Sequence, residues 1–237
     1  MYQALSDRLR AEVRAAFGPP WHAFQRDRLR AFPLTLTCTG LVALFGVIQH
    51  FAAGWWVVEH AAGVYQALPA HLILLRLPLS MFAPAPNLPS WGAVIQVLVV
   101  FGLSETHIGW RRTLITAIAV NSLTTLAAHL MVVIGLHLLI GTPQFDAYEL
   151  DTGPSTVVVA LAVYAALKCR AYLLLAITAA AMGGEALVLP NLAGREHLVA
   201  LGLGALAYLV GERIGPTADN PRPRGPDAAR PRPGCRP

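Results

Sequence analysis

Lysine is nearly missing from this chain: of its 18 basic residues, Lys168 is the only one that is not arginine. Charge of either sign is scarce, at 13% of residues against 55% hydrophobic, which excludes an ordinary soluble domain. Cysteine occurs three times, at Cys38, Cys169 and Cys235, with no Cys-x-x-Cys pair and no partnered spacing. This excludes a disulfide framework and gives no support to a metal centre. The N-terminus stays polar through Arg30 before the first apolar run and does not read as a cleaved signal peptide.

What is there, in 237 residues of mean hydropathy +0.53, is a series of apolar runs. They predict an all-α, polytopic integral membrane protein. The net charge of +5 is carried by arginines gathered in flanks and loops, so it reads as membrane topology rather than nucleic-acid binding. The weight of Ala, Leu, Gly, Pro and Arg is what a GC-rich coding sequence produces, and it hints at a bacterium.

Leu5, Leu9, Val13 and Phe17 recur every four residues among Arg8, Arg10 and Arg14. Residues 3–17 are thus expected to form an amphipathic helix on a lipid surface, ended by Pro19-Pro20. The first span is expected over Leu34–Val58, with Trp55-Trp56 at the interface. Glu59–Ser90 carries Pro69, Pro78, Pro84, Pro86 and Pro89 and Arg76, and reads as a long loop with short helices dipping into the interface. Further spans are expected over Trp91–Leu103, Thr113–Ile140, Ser155–Leu167, Tyr172–Leu189 and Glu196–Val210. Asn121, His129 and His137 lie inside the third span, where they read as packing or cavity-lining residues rather than a proton path.

Six spans give three parts: residues 1–33, an amphipathic cytoplasmic segment; 34–214, the membrane bundle; and 215–237, a Pro- and Arg-rich tail too poor in apolar residues to build a core. With both termini on one side, sixteen of the eighteen basic residues share that side and only Arg76 and Arg195 lie opposite. The positive-inside rule then places both termini in the cytoplasm of a multi-pass plasma-membrane protein. Making Leu68–Phe82 a seventh span would put Arg111, Arg112, Lys168 and Arg170 outside.

One stretch organises the rest. In Asp151-Thr152-Gly153-Pro154-Ser155-Thr156-Val157-Val158-Val159-Ala160-Leu161 an acidic loop turns into an apolar helix that opens with serine and ends near Lys168. A helix of about 15 residues is roughly 22 Å long, against a hydrocarbon core of about 30 Å. If its charged end sits at one interface, Ser155 lies sunken below the other, in a wet cavity. His197 is expected at the mouth of the sixth span, on the same side and at the same depth. A serine attacks only when a base takes its proton, and imidazole suits neutral pH. Ser155 and His197 are therefore the candidate catalytic dyad. Small residues would let the helices approach, with Ser155, Ala162 and Ala166 on one stripe and His197, Ala200 and Gly204 on the other. The alternative reading of Ser155 is a small polar residue in a first helical turn, with Thr152 as cap and Pro154 near N1. That of His197 is an interfacial histidine beside Arg195 and Glu196.

Gly153-Pro154-Ser155, then His197-Leu198-Val199-Ala200-Leu201-Gly202-Leu203-Gly204, with Glu105 and Gly109 before Arg111-Arg112, resemble the motifs of the rhomboid family of intramembrane serine proteases. The resemblance covers roughly residues 34 to 213. It implies a six-helix bundle with a short fourth helix, no cofactor or metal, and a transmembrane protein as substrate. The chain departs from the family pattern at Thr156, where Gly or Ala is usual, and at Val159, where Tyr is usual. Pro89 and Ala93 stand where a His and an Asn help bind the oxyanion, and Pro154 lacks an N–H. Two functions stay open: a protease, or an inactive relative that binds or escorts membrane helices. A small transporter is a distant third, since neither an inverted repeat nor a charged pathway is evident.

Overall fold

The computed structural model describes residues 2–86, 89–135, 144–188 and 191–215. They form α1 (Tyr2–Asp27), α2 (Pro33–Gln49), α3 (Ala52–Ala62), α4 (Ala70–Ser80), α5 (Ser90–Ile108), α6 (Trp110–Ile134), α7 (Ser155–Lys168), α8 (Tyr172–Val188) and α9 (Leu192–Ile214), with short 3₁₀ turns at Arg28–Ala31 and Gln144–Tyr148. Among the described residues the sole strand-like pairing is an isolated bridge between Val64 and Asp151. The fold is all-α, as the apolar runs predict. Of these helices α5, α6 and α9 are long and apolar enough to cross a membrane, and α1 with α2, bent by 66°, makes a fourth if the pair counts as one span. The apolar helices α4, α7 and α8 are shorter. His137 and residues 216–237 lie outside the described residues.

The run Leu34–Val58 is not one helix: α2 stops at Gln49, and Trp55 and Trp56 belong to α3. The break rests on Gly54, where an added Cβ would lie 2.1 Å from the Ile48 carbonyl oxygen. Only glycine lets the chain fold back that closely. Pro19-Pro20 does not end α1, which runs through both prolines to Asp27. A helical proline strands the carbonyl four residues earlier; for Pro20 that is Ala16, whose oxygen accepts from His107 Nε2 on α5 at 2.8 Å. α9 begins at Leu192 rather than Glu196, because Asn191 caps it by accepting from the Gly194 N–H at 2.9 Å. His197 therefore sits a turn and a half inside α9, not at its mouth.

The bundle is built around α7. Thr156–Leu161 and Val163–Ala166 are buried on every side, as expected of a helix that is apolar all round. Its widest contacts are with α9 and then α5. One core cluster joins Cys38 and Val42 of α2, Val97 and Phe101 of α5, and Val157, Val158 and Leu161 of α7.

Two helix starts are capped from a distance by buried carboxylates. Glu105 of α5 accepts from the Leu34 N–H at 3.0 Å, the Thr35 N–H at 2.8 Å and the Thr35 hydroxyl at 2.7 Å. Glu12 of α1 accepts from the N–H groups of Leu173 and Leu174 at 2.8 and 3.1 Å. Each satisfies N–H groups that a helix start leaves orphaned and sets negative charge against the positive end of the dipole. Gly109, at φ 82, turns the chain from α5 into α6. The Glu105 and Gly109 pair is thus structural. Asn121 is likewise a packing residue: its Nδ2 donates to the Leu77 carbonyl at 3.0 Å and ties α6 to α4.

Candidate functional site

The segment before Ser155 is held on both sides. Asp151 N–H donates to the Val64 carbonyl at 2.8 Å and Gly153 N–H to the Ser80 carbonyl at 3.0 Å. Gly153 has φ +122, a conformation that favours glycine. Pro154 precedes the first helical residue, Ser155, and Val158 N–H donates to the Pro154 carbonyl at 2.8 Å. Thr152 does not cap α7; its hydroxyl is buried without a partner.

Ser155 lines a small cavity of about 150 Å³ with Thr152, Pro84, Pro89, Ala93 and Gln96. Pro89 and Ala93 bring no side-chain donor to it. Gln96, one turn further along α5, does bring a carboxamide, which the sequence reading missed because hydropathy does not say which face of a span meets the serine.

His197 is 8% exposed. Its Nδ1 lies 2.8 Å from Glu185 Oε2 on α8. A carboxylate can only accept, so Nδ1 carries the proton and Nε2 offers its lone pair. Nε2 is buried and has no hydrogen-bond partner. Ser155 and His197 are therefore not hydrogen-bonded to each other, and His197 does not line the cavity that holds Ser155.

What brings their helices together is a seam of small residues. On α9 the stripe of Ala200 and Gly204 faces α7, where it meets Val159 and Ala160. An added Cβ at Gly204 would lie 2.4 Å from the Ala160 carbonyl oxygen, so the two backbones are in direct contact there. Val159, where the family pattern has Tyr, is part of this packing.

Beside this seam lies a buried acidic pair. The Asp151 and Glu196 carboxyls interact with each other out of water, a setting that favours a proton on one of them. Gln66 Nε2 donates to Asp151 Oδ2 at 3.0 Å. The Asp151 residue keeps some exposed surface while its carboxyl is enclosed. Burial pushes this carboxyl from 3.8 up to about 6, with the hydrogen bonds from Glu196 and Gln66 pulling the other way. A raised carboxyl stabilises the fold in its protonated form: the contribution is complete below the unfolded value and is lost as pH climbs through about 6. Melting of detergent-solubilised protein between pH 4 and 7 checks this. Wild type should lose stability relative to Asp151→Asn as pH rises across that window. Parallel curves for the two proteins would mean that Asp151 does not titrate there.

Among the described residues no set of three His, Cys, Asp or Glu side chains is placed to hold a metal ion. Comparison of the chain with protein-family models, with characterised proteins and with solved structures finds no match. Function therefore has to be argued from the site itself.

Proposed function

We propose that the chain is a rhomboid-like membrane protein of six spans, α2 and α5 to α9, that cleaves transmembrane protein substrates with Ser155 as nucleophile and His197 as base. The observation that carries this reading is an imidazole whose Nδ1 is engaged by a carboxylate while its Nε2 is buried and free, on a helix in backbone contact with the one that Ser155 opens. In this reading α3 and α4 are the half-inserted helices of the first loop. The arginine distribution supports cytoplasmic termini in a plasma-membrane protein as part of this reading.

The chemistry follows from the side chains. Ser155 Oγ attacks the scissile carbonyl carbon while its proton passes to His197 Nε2. The C–N bond then breaks, and the imidazolium gives the proton to the leaving amine. Water, deprotonated by the same nitrogen, hydrolyses the ester and frees Ser155. Negative charge on the carbonyl oxygen falls to the first-turn N–H groups of α7 and to the Gln96 carboxamide. The Ser155–His197 bond forms when substrate enters, since catalytic hydrogen bonds are often long or misaligned in empty sites.

The second reading is a helix-binding protein without catalysis. It is favoured by the separate surroundings of Ser155 and His197 and by the buried Thr156 and Val159 that fill the turn below the serine.

Labelling with a serine-directed fluorophosphonate decides between them. Wild type is expected to label, and Ser155→Ala and His197→Ala are expected not to. A wild-type protein that melts cooperatively yet stays unlabelled is the non-catalytic binder.

A further inference from the structure

The angle between α1 and α2 holds two features that function at the serine does not use. One is an apolar groove of about 380 Å³, walled by Phe17, Trp21 and Phe24 of α1, Leu36 of α2, and Leu98 and Leu103 of α5. The other is a basic cleft formed by Arg26, Asp27, Arg28 and Arg30. The two meet at Leu29, which lines both.

The walls are fixed. α1 is tied to α5 through His107 and the Ala16 carbonyl, and to α8 through Glu12. Since α1 bends 66° away from α2, an α2 that crosses the bilayer puts α1 close to the membrane plane. Leu5, Leu9, Val13, Phe17 and Trp21 are exposed along it, as on a helix embedded at the boundary between headgroups and acyl chains. The groove then opens at acyl depth and the cleft at headgroup depth.

The charges select the occupant. Arg26 is paired with Asp27 at 2.7 Å. Arg28 and Arg30 enter no ion pair or hydrogen bond among the described residues. Arg28 is held at φ 55, where side-chain-bearing residues rarely sit, with its guanidinium 5.8 Å from the Phe24 ring centroid. Two unneutralised guanidinium groups at the mouth of an apolar slot fit a phosphate joined to a hydrocarbon chain.

We infer that this angle binds one anionic glycerophospholipid, its acyl chain in the groove and its phosphate at Arg28 and Arg30. The occupant is a lipid of the leaflet on which α1 lies, and this site stands apart from the proposed hydrolysis.

Native mass spectrometry of the full chain, purified in neutral detergent with equal phosphatidylglycerol and phosphatidylcholine, tests it. One phosphatidylglycerol per chain should survive delipidation that removes phosphatidylcholine. Arg28→Gln with Arg30→Gln should cut that retention at least tenfold, and Leu36→Trp, which fills the groove, should also cut it. Arg10→Gln with Arg14→Gln, elsewhere on α1, should leave it unchanged. The melting temperature of each lipid-free variant shows that it is folded, and should the Trp variant fail to fold, the arginine pairs decide. Equal retention of the two lipids overturns the proposal, as does retention that survives loss of Arg28 and Arg30. An equal loss with the Arg10 and Arg14 pair overturns it too, since diffuse charge on α1 would then account for the binding.

Discussion

Replacing Glu185 by Gln is expected to slow phosphonylation of Ser155 by a fluorophosphonate, with loss of fluoride, by roughly 10²- to 10⁴-fold, or about 3 to 5 kcal/mol of activation energy. The half-saturating reagent concentration should stay unchanged. The expectation comes from the bond between His197 Nδ1 and Glu185 Oε2. A carboxylate there forces the proton onto Nδ1 and leaves Nε2 basic, and it steadies the imidazolium that forms as Ser155 attacks. A carboxamide has the same shape but can turn its NH₂ toward Nδ1, which selects the wrong tautomer. Glu185 acts through His197 and is a positioning residue, so its loss should appear in the maximal phosphonylation rate. Glu185→Asp, which keeps the charge, should recover part of that rate. A Gln variant that labels at the wild-type rate, while Ser155→Ala and His197→Ala do not label, would remove Glu185 from the mechanism and leave the hydrolase reading standing. Failure of the wild type itself to label would remove the reading.

Glu185 also shows where the sequence stops being legible. It lies in an apolar run from Tyr172 to Leu189, and a lone acid inside such a run signals a functional or structural partner. Nothing local says that the partner is the histidine twelve residues on, across a helix break. α7 could be read almost to the residue, because Gly153-Pro154 before it and Cys169-Arg170 after it are local stop signals. The start of α9 could not: Arg195 and Glu196 look like the edge of a span, whereas Glu196 is buried against Asp151 and the helix starts earlier, at the Asn191 cap. The break after Gln49 and the continuity of α1 through Pro19-Pro20 were out of reach for one reason. Each is fixed by a contact that hydropathy does not report, Gly54 against Ile48 six residues earlier in the first case and His107 of α5 on the Ala16 carbonyl in the second. The two site residues named from sequence fall on helices that touch. That Gln96 lines the cavity of Ser155 and that Glu185 bonds the imidazole depend on how α5 and α8 are turned, and runs that are apolar on all sides carry little information about facing.

Between helices, a large effect on stability is expected at Gly204. A methyl group there would lie 2.4 Å from the Ala160 oxygen, 2.9 Å from its Cα and 3.0 Å from its carbonyl carbon. All three are backbone atoms of the most enclosed helix, so no side chain can rotate away and the helices themselves must separate. Overpacking of this kind costs about 1–3 kcal/mol and occasionally more, and Gly204→Ala should fall at or above the upper end. Gly202, on the same helix, has nothing within 4 Å of an added Cβ. Gly202→Ala should therefore be neutral, or gain up to about 1 kcal/mol from better helix propensity. Thermal unfolding of both variants in the same detergent, followed by circular dichroism, makes the comparison, because composition and hydrophobicity change identically. A Gly204→Ala protein within about 0.5 kcal/mol of wild type would mean that α7 and α9 are not in backbone contact. Contact at Gly204 also fixes how α7, which Ser155 opens, packs against α9, which carries His197. Under the hydrolase reading, Gly204→Ala should therefore depress fluorophosphonate labelling of Ser155 even at temperatures where the variant remains folded, while Gly202→Ala should leave it unchanged.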